Sequence, residues 1–100
     1  MGNQEIKVPP QNTEAEMAVL GSMLISEDAI PLALEVVDVD CFYRDANRLI
    51  FSAILELYNN QKSIDLITLS DELKRKGSLD SVGGIAYLTN LTEAVPTAAN

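Results

Sequence analysis

Apolar residues in the stretch Asp45 to Asn60, DANRLIFSAILELYNN, recur at a spacing that restricts what the chain can fold into. Ala46, Leu49, Ile50, Ala53, Ile54 and Leu57 follow the i, i+3, i+4, i+7, i+8, i+11 pattern and fall in one stripe of an α-helix. Phe51, Leu55 and Tyr58 form a second row beside it. A helix apolar over so wide an arc has to be covered on more than one side. The stretch is therefore expected to be the central helix of a small all-α orthogonal bundle of five to six helices. Asn47, Arg48, Ser52, Glu56 and Asn59 would be left as a narrow strip facing water. An ordinary surface helix with one apolar face is the alternative.

The flanking sequence supplies the partners of such a helix. Val8-Pro9-Pro10 disfavours helix at the residues before each proline, so residues 1–11 are expected to form an extended arm. Thr13 stands three residues before Glu16, the spacing of a capping box, and predicts a first helix from Glu14 to about Ile25. Gly21 falls inside it at a cost of about 1 kcal/mol against alanine. Either another backbone crosses there or the glycine is merely tolerated. Ser26, Glu27 and Asp28 offer caps for a second helix through Val37, with Pro31 in its first turn. Asp38 to Arg44 is expected to be a turn or a single helical turn, with Phe42 and Tyr43 plugged beside the central helix.

Beyond the central helix, SIDLITLS has some β character, but Leu66, Leu69 and Leu73 at helical spacing argue for helix. Asp65 or Thr68 would cap it. The basic run Lys74-Arg75-Lys76 before Gly77 then complements the helix dipole and closes the helix, the simpler reading beside a nucleic-acid patch. Leu79 to Gly84 is a turn, and Ile85, Leu88 and Leu91 mark a last helix stopped by Val95-Pro96. Residues 12–96 would thus form one globular head. Residues 97–100 offer a cap and helix formers, the expected beginning of a new helix, which favours a piece of a larger protein.

Composition narrows the function. Fifteen acidic against seven basic residues give a formal charge of −8, which repels phosphate backbones and points to basic proteins as partners rather than to autonomous DNA binding. With no histidine and one cysteine, Cys41, the usual zinc sites and internal disulfides cannot be assembled within the chain. No apolar run approaches a membrane span, and the polar start is not that of a signal peptide. The single cysteine suits a cytoplasmic setting. Lys76-Gly77-Ser78 lacks the order of a phosphate-binding loop, and Gly83-Gly84 lacks the spacing of a dinucleotide fingerprint. A small acidic enzyme or nucleotide-binding domain with an unrecognised site is the rival class.

Motifs along nearly the whole chain then carry a resemblance. Pro9-Pro10-Gln11-Asn12, Glu14-Ala15-Glu16, Ala18-Val19-Leu20-Gly21-Ser22-Met23-Leu24, and Phe42-Tyr43-Arg44 with Asn47 and Ile50-Phe51 occur in order. Asp65-Leu66-Ile67-Thr68-Leu69, Gly83-Gly84 with Tyr87-Leu88 and Leu91, and Pro96 to Asn100 follow. Together they resemble the N-terminal domain of the bacterial replicative DNA helicases, the DnaB family. The resemblance implies the globular head of a collar domain, followed by a helical hairpin that would start at residues 97–100, which assembles in the hexameric ring as a trimer of dimers with other protomers. It further implies docking of the helicase-binding domain of primase and responses to helicase loaders. Catalysis, with ATP and Mg, would belong to a motor domain outside this chain. No cofactor, metal or catalytic residue is expected in the head itself. Tyr87 and Glu14 are the candidates for the primase-facing surface. Each has a plainer role open to it, Tyr87 as a core-edge tyrosine and Glu14 as a first-turn acid serving the helix dipole.

Overall fold

The computed structural model describes residues 12–95, and the arm expected over 1–11 and the hairpin start over 97–100 lie outside the described residues. Five α-helices and one 3₁₀ turn follow in order: α1 (Thr13–Ile25), α2 (Ala29–Leu34), the 3₁₀ turn (Val39–Cys41), α3 (Asp45–Asn59), α4 (Leu66–Arg75) and α5 (Gly84–Glu93). Among the described residues there is no strand, so SIDLITLS is helical from Leu66. Asp65 caps α4 by accepting from the Thr68 backbone N–H at 2.9 Å, and the Thr68 hydroxyl accepts from Asp65 N–H at 2.9 Å. Both proposed cap residues therefore take part, as the two halves of one capping box.

α3 is the helix on which the others close. Ile50, Phe51, Ala53 and Ile54 are fully buried and Leu57 nearly so. They meet Leu20, Met23 and Leu24 from α1, Leu69 and Leu73 from α4, and Leu88 and Leu91 from α5 in a single core. α1 packs against α2, α3 and α5, while α4 packs against α3 and α5, so each long helix has neighbours on two sides. Phe42 seats its ring 5.0 Å from that of Phe51.

Several expectations shift. The first helix is capped by Asn12, whose Oδ1 accepts from Ala15 N–H at 2.9 Å, and not by Thr13. Glu16 is drawn away from the cap by partners on another part of the chain. α2 stops at Leu34 and not at Val37, where β-branched Val36-Val37 weaken the helix and Asp38 turns to cap the 3₁₀ turn. No side chain caps α2 at Asp28, and the Glu27 carboxylate instead accepts from the Ile64 N–H at 3.0 Å. Tyr43 is 58% exposed and does not share the groove that holds Phe42. On α3, Leu49 is 40% exposed while Asn47 has no exposure at all. The covering helices are centred on the line Asn47, Ile50, Phe51 and Ile54, one residue round from Leu49.

Gly21 has the close crossing as its reason. A Cβ built there would collide with the Leu91 carbonyl oxygen, lie 2.9 Å from the Leu91 carbonyl carbon and 2.8 Å from Val95 Cγ2. Backbone meets backbone where α1 crosses α5, and backbone cannot step aside as a flexible side chain can.

Two measurements test this packing. Ile50→Ala or Ile54→Ala should each destabilise the domain by roughly 2–5 kcal/mol in a denaturant melt, because a sealed aliphatic site is emptied. A loss under about 0.5 kcal/mol at both would contradict the central placing of α3. Gly21→Ala should also destabilise, by about 1–3 kcal/mol, even though alanine is the better helix former. A stabilised Gly21→Ala variant would mean that α1 and α5 do not meet there.

Candidate protein-docking site

One buried carboxamide joins three segments of the chain. Asn47, in the first turns of α3, has no solvent exposure, so its polar atoms must be satisfied from within the protein. Its Nδ2 donates to Glu16 Oε1 at 2.8 Å, and its Oδ1 accepts from the Tyr87 hydroxyl at 2.6 Å. The carboxylate of Glu16 accepts a second bond, from the Tyr43 backbone N–H, through Oε2 at 2.8 Å. A carboxylate accepts and an amide nitrogen donates, so Glu16 fixes which way the Asn47 amide points. The amide oxygen is left to face α5, where the phenol supplies the matching donor. Glu16 from α1, Tyr43 from the segment before α3, Asn47 from the first turn of α3, and Tyr87 from α5 thereby form one chain of hydrogen bonds.

Local sequence places each member. Glu16 lies in the acidic first turn of α1 and Asn47 one turn before Ile50 and Phe51 on the buried line of α3. Gly83 stands at the N-cap of α5 with φ +106° and Gly84 follows with φ +72°, conformations that side chains rarely adopt. A Cβ at Gly83 would also lie 2.9 Å from Tyr87 Cβ, so the glycine pair lets the turn pass close beneath the tyrosine. Tyr87 itself is half-buried against the core. Burial pushes its phenol above the usual tyrosine range, opposed by the charge of Arg44 and by the Asn47 hydrogen bond.

Arg44 completes the outer side. Its backbone forms the N-cap of α3, and its guanidinium carbon lies 5.4 Å from the centroid of the Tyr87 ring. A guanidinium over an aromatic face is held electrostatically by the ring quadrupole. Arg44 is exposed, and so is Tyr43 beside it in sequence.

The two residues singled out from sequence are not brought together. Tyr87 belongs to the network, but its hydroxyl edge is turned inward to Asn47, so the ring and not the hydroxyl is what it can present. Glu14 is exposed on the first turn of α1, beside a recess lined by Asn12, Ala15, Met17, Ala18 and Ala94. No hydrogen bond or ion pair among the described residues links it to Tyr87. Its neighbour Glu16 is the acid that reaches the tyrosine, through Asn47. Sequence reasoning assigned Glu16 to a cap and Asn47 to the solvent strip, and it passed over Arg44. The available signal was that Asn47 stands at i−3 and i−4 from Ile50 and Phe51, in phase with the buried line.

Nothing among the described residues gathers three or more His, Cys, Asp or Glu side chains into a metal site. No helix there is long and apolar enough to cross a membrane. The basic run at the end of α4 is engaged locally: Arg75 NH2 pairs with Glu72 at 2.7 Å, and Lys76 pairs with Glu56.

Comparison with known proteins agrees with this architecture. The replicative DNA helicase DnaB of Rhodothermus marinus is 46% identical over 94 residues, which are 94% of this chain and 10% of that protein. The replicative DNA helicase DnaC of Bacillus subtilis is 46% identical over the same share of this chain and 21% of its own length. The chain thus spans a minor part of these relatives. The crystal structure of the N-terminal domain of DnaB helicase from Mycobacterium tuberculosis superimposes with a TM-score of 0.87 at 46% identity, covering 93% of this chain and 67% of that one. The family described as the DnaB-like helicase N terminal domain matches residues 8–100, and this all-helical chain belongs to that family.

Proposed function

We propose that this chain is the collar head of a replicative DNA helicase, a module that docks protein partners and helps assemble the ring. Primase is the partner, through its helicase-binding domain, and Tyr87 lies on the surface that receives it, with Glu14 at the margin. The intact protein, acting in the cytoplasm, hydrolyses ATP with Mg in a motor domain beyond this head. Other protomers and helicase loaders meet the same collar.

One observation carries the docking reading. Tyr87 is a half-buried aromatic whose hydroxyl is fastened to a fully buried amide, leaving a pre-positioned ring at the surface. Tyrosine held in that way loses little side-chain freedom on binding, which is why such residues serve as interface anchors. The −8 charge fits a head that meets proteins and leaves the grip on DNA to other parts of the ring.

Calorimetric titration with the helicase-binding domain of primase, run beside thermal melts, tests the reading. Tyr87→Ala should weaken binding by about 1–4 kcal/mol while the domain still folds. Tyr87→Phe should keep the affinity but cost about 1–3 kcal/mol of stability, since the Asn47 oxygen loses its donor. Unchanged affinity in a folded Tyr87→Ala variant would remove this tyrosine from the surface. The isolated chain should show neither ATPase activity nor saturable micromolar binding of single-stranded DNA at physiological salt. Either activity would contradict the assignment of catalysis and DNA contact to the absent motor.

A further inference from the structure

We propose that Arg44, held over the Tyr87 ring, is the receptor on this surface for a carboxylate of the partner protein. The inference rests on the docking reading above and names the chemistry that the partner must bring. Among the described residues the ion pairs are Arg48–Asp40, Arg75–Glu72, Lys76–Glu56 and Lys76–Glu72, and Arg44 belongs to none of them. It is nonetheless a placed cation and not a free one. Its backbone caps α3, and its guanidinium carbon stands 5.4 Å from a ring that Asn47 and Glu16 hold in position.

A guanidinium in contact with an aromatic ring uses the ring for its apolar side and keeps its N–H groups for a partner. The group best matched to that fork is a carboxylate, taken through two parallel hydrogen bonds. Glu16 is the acid tied into the network, and its two oxygens accept from the Tyr43 N–H and Asn47 Nδ2. It is therefore committed to the interior while Arg44 stays at the surface. In a chain of net charge −8, a placed cation would select where along the surface an acidic segment can land. Tyrosine and arginine, here side by side, are also among the residue types enriched at interface anchors.

The test is titration of the full chain with the helicase-binding domain of primase at low and high ionic strength, using wild type, Arg44→Ala, Arg44→Lys, Arg44→Glu and Tyr87→Ala. Arg44 is exposed, so its variants should melt like wild type. Arg44→Ala is expected to weaken binding on the order of tenfold, and Arg44→Glu further. Arg44→Lys should recover only part, because an ammonium lacks the planar fork. Salt should weaken the wild-type complex and affect the Arg44→Ala complex less. If Tyr87→Ala weakens binding but Arg44→Glu binds like wild type with the same salt dependence, the docking reading stands and this inference falls. If wild type does not bind the primase domain, both fall. Sedimentation of the same variants alone covers the other sources of a carboxylate or anion. Self-association lost in Arg44→Glu while primase affinity is unchanged would give the occupant as a second copy and overturn the proposal, as would an Arg44-dependent affinity for single-stranded DNA.

Discussion

A primary amide sealed from solvent tolerates few surroundings, and Asn47 imposes its requirements on three helices at once. Leaving its polar atoms unpaired would cost several times what one surface hydrogen bond contributes. The protein meets the demand with an acceptor from α1 and a donor from α5, each within 2.8 Å. Because the carboxylate can only accept, the amide has one workable orientation, and the phenol has one place to point. A leucine at this position would fill the space without caring how α1 and α5 are turned. The polar group makes the arrangement specific, and the same hydrogen bonds that satisfy the interior hold a tyrosine ring at the surface.

The network holds its geometry because α1 and α5 are locked elsewhere. They cross at Gly21, where the Leu91 carbonyl occupies the space a Cβ would need. Glu16 lies on one of these helices and Tyr87 on the other, each a little over one helical turn from the crossing. A larger residue at Gly21 would push the helices apart and lengthen the path that Asn47 bridges. Close backbone contact and the polar chain are therefore two parts of one construction, the first setting the distance that the second requires.

Charge is distributed with a similar economy. Among the described residues Arg48, Arg75 and Lys76 are paired with acids, and α4 uses its terminal cations for closure and for ties to α3. Arg44 differs in having an aromatic ring for its partner. A fold with a large formal negative charge thus keeps a cation beside its most strongly positioned tyrosine.

Periodicity alone was enough to give the all-helical class, the central place of α3 and the Asp65–Thr68 start of α4, since these depend on residues a few positions apart. The motif order along the chain was enough for the family. Neighbours in space decided the rest. Glu16 has the spacing of a capping acid, yet the Asn47 amide and the Tyr43 N–H are better satisfied by it than the helix end is. Asn47 is polar by composition and buried by position, and no local rule reveals that a donor from α5 and an acceptor from α1 will meet it. Tyr43 and Phe42 are adjacent aromatics, and only the groove beside Phe51 determines that one is buried and the other exposed. Local spacing carries information about which face of a helix is apolar, whereas the pairing of polar groups brought together from 31 and 40 residues apart exists only once the helices have packed.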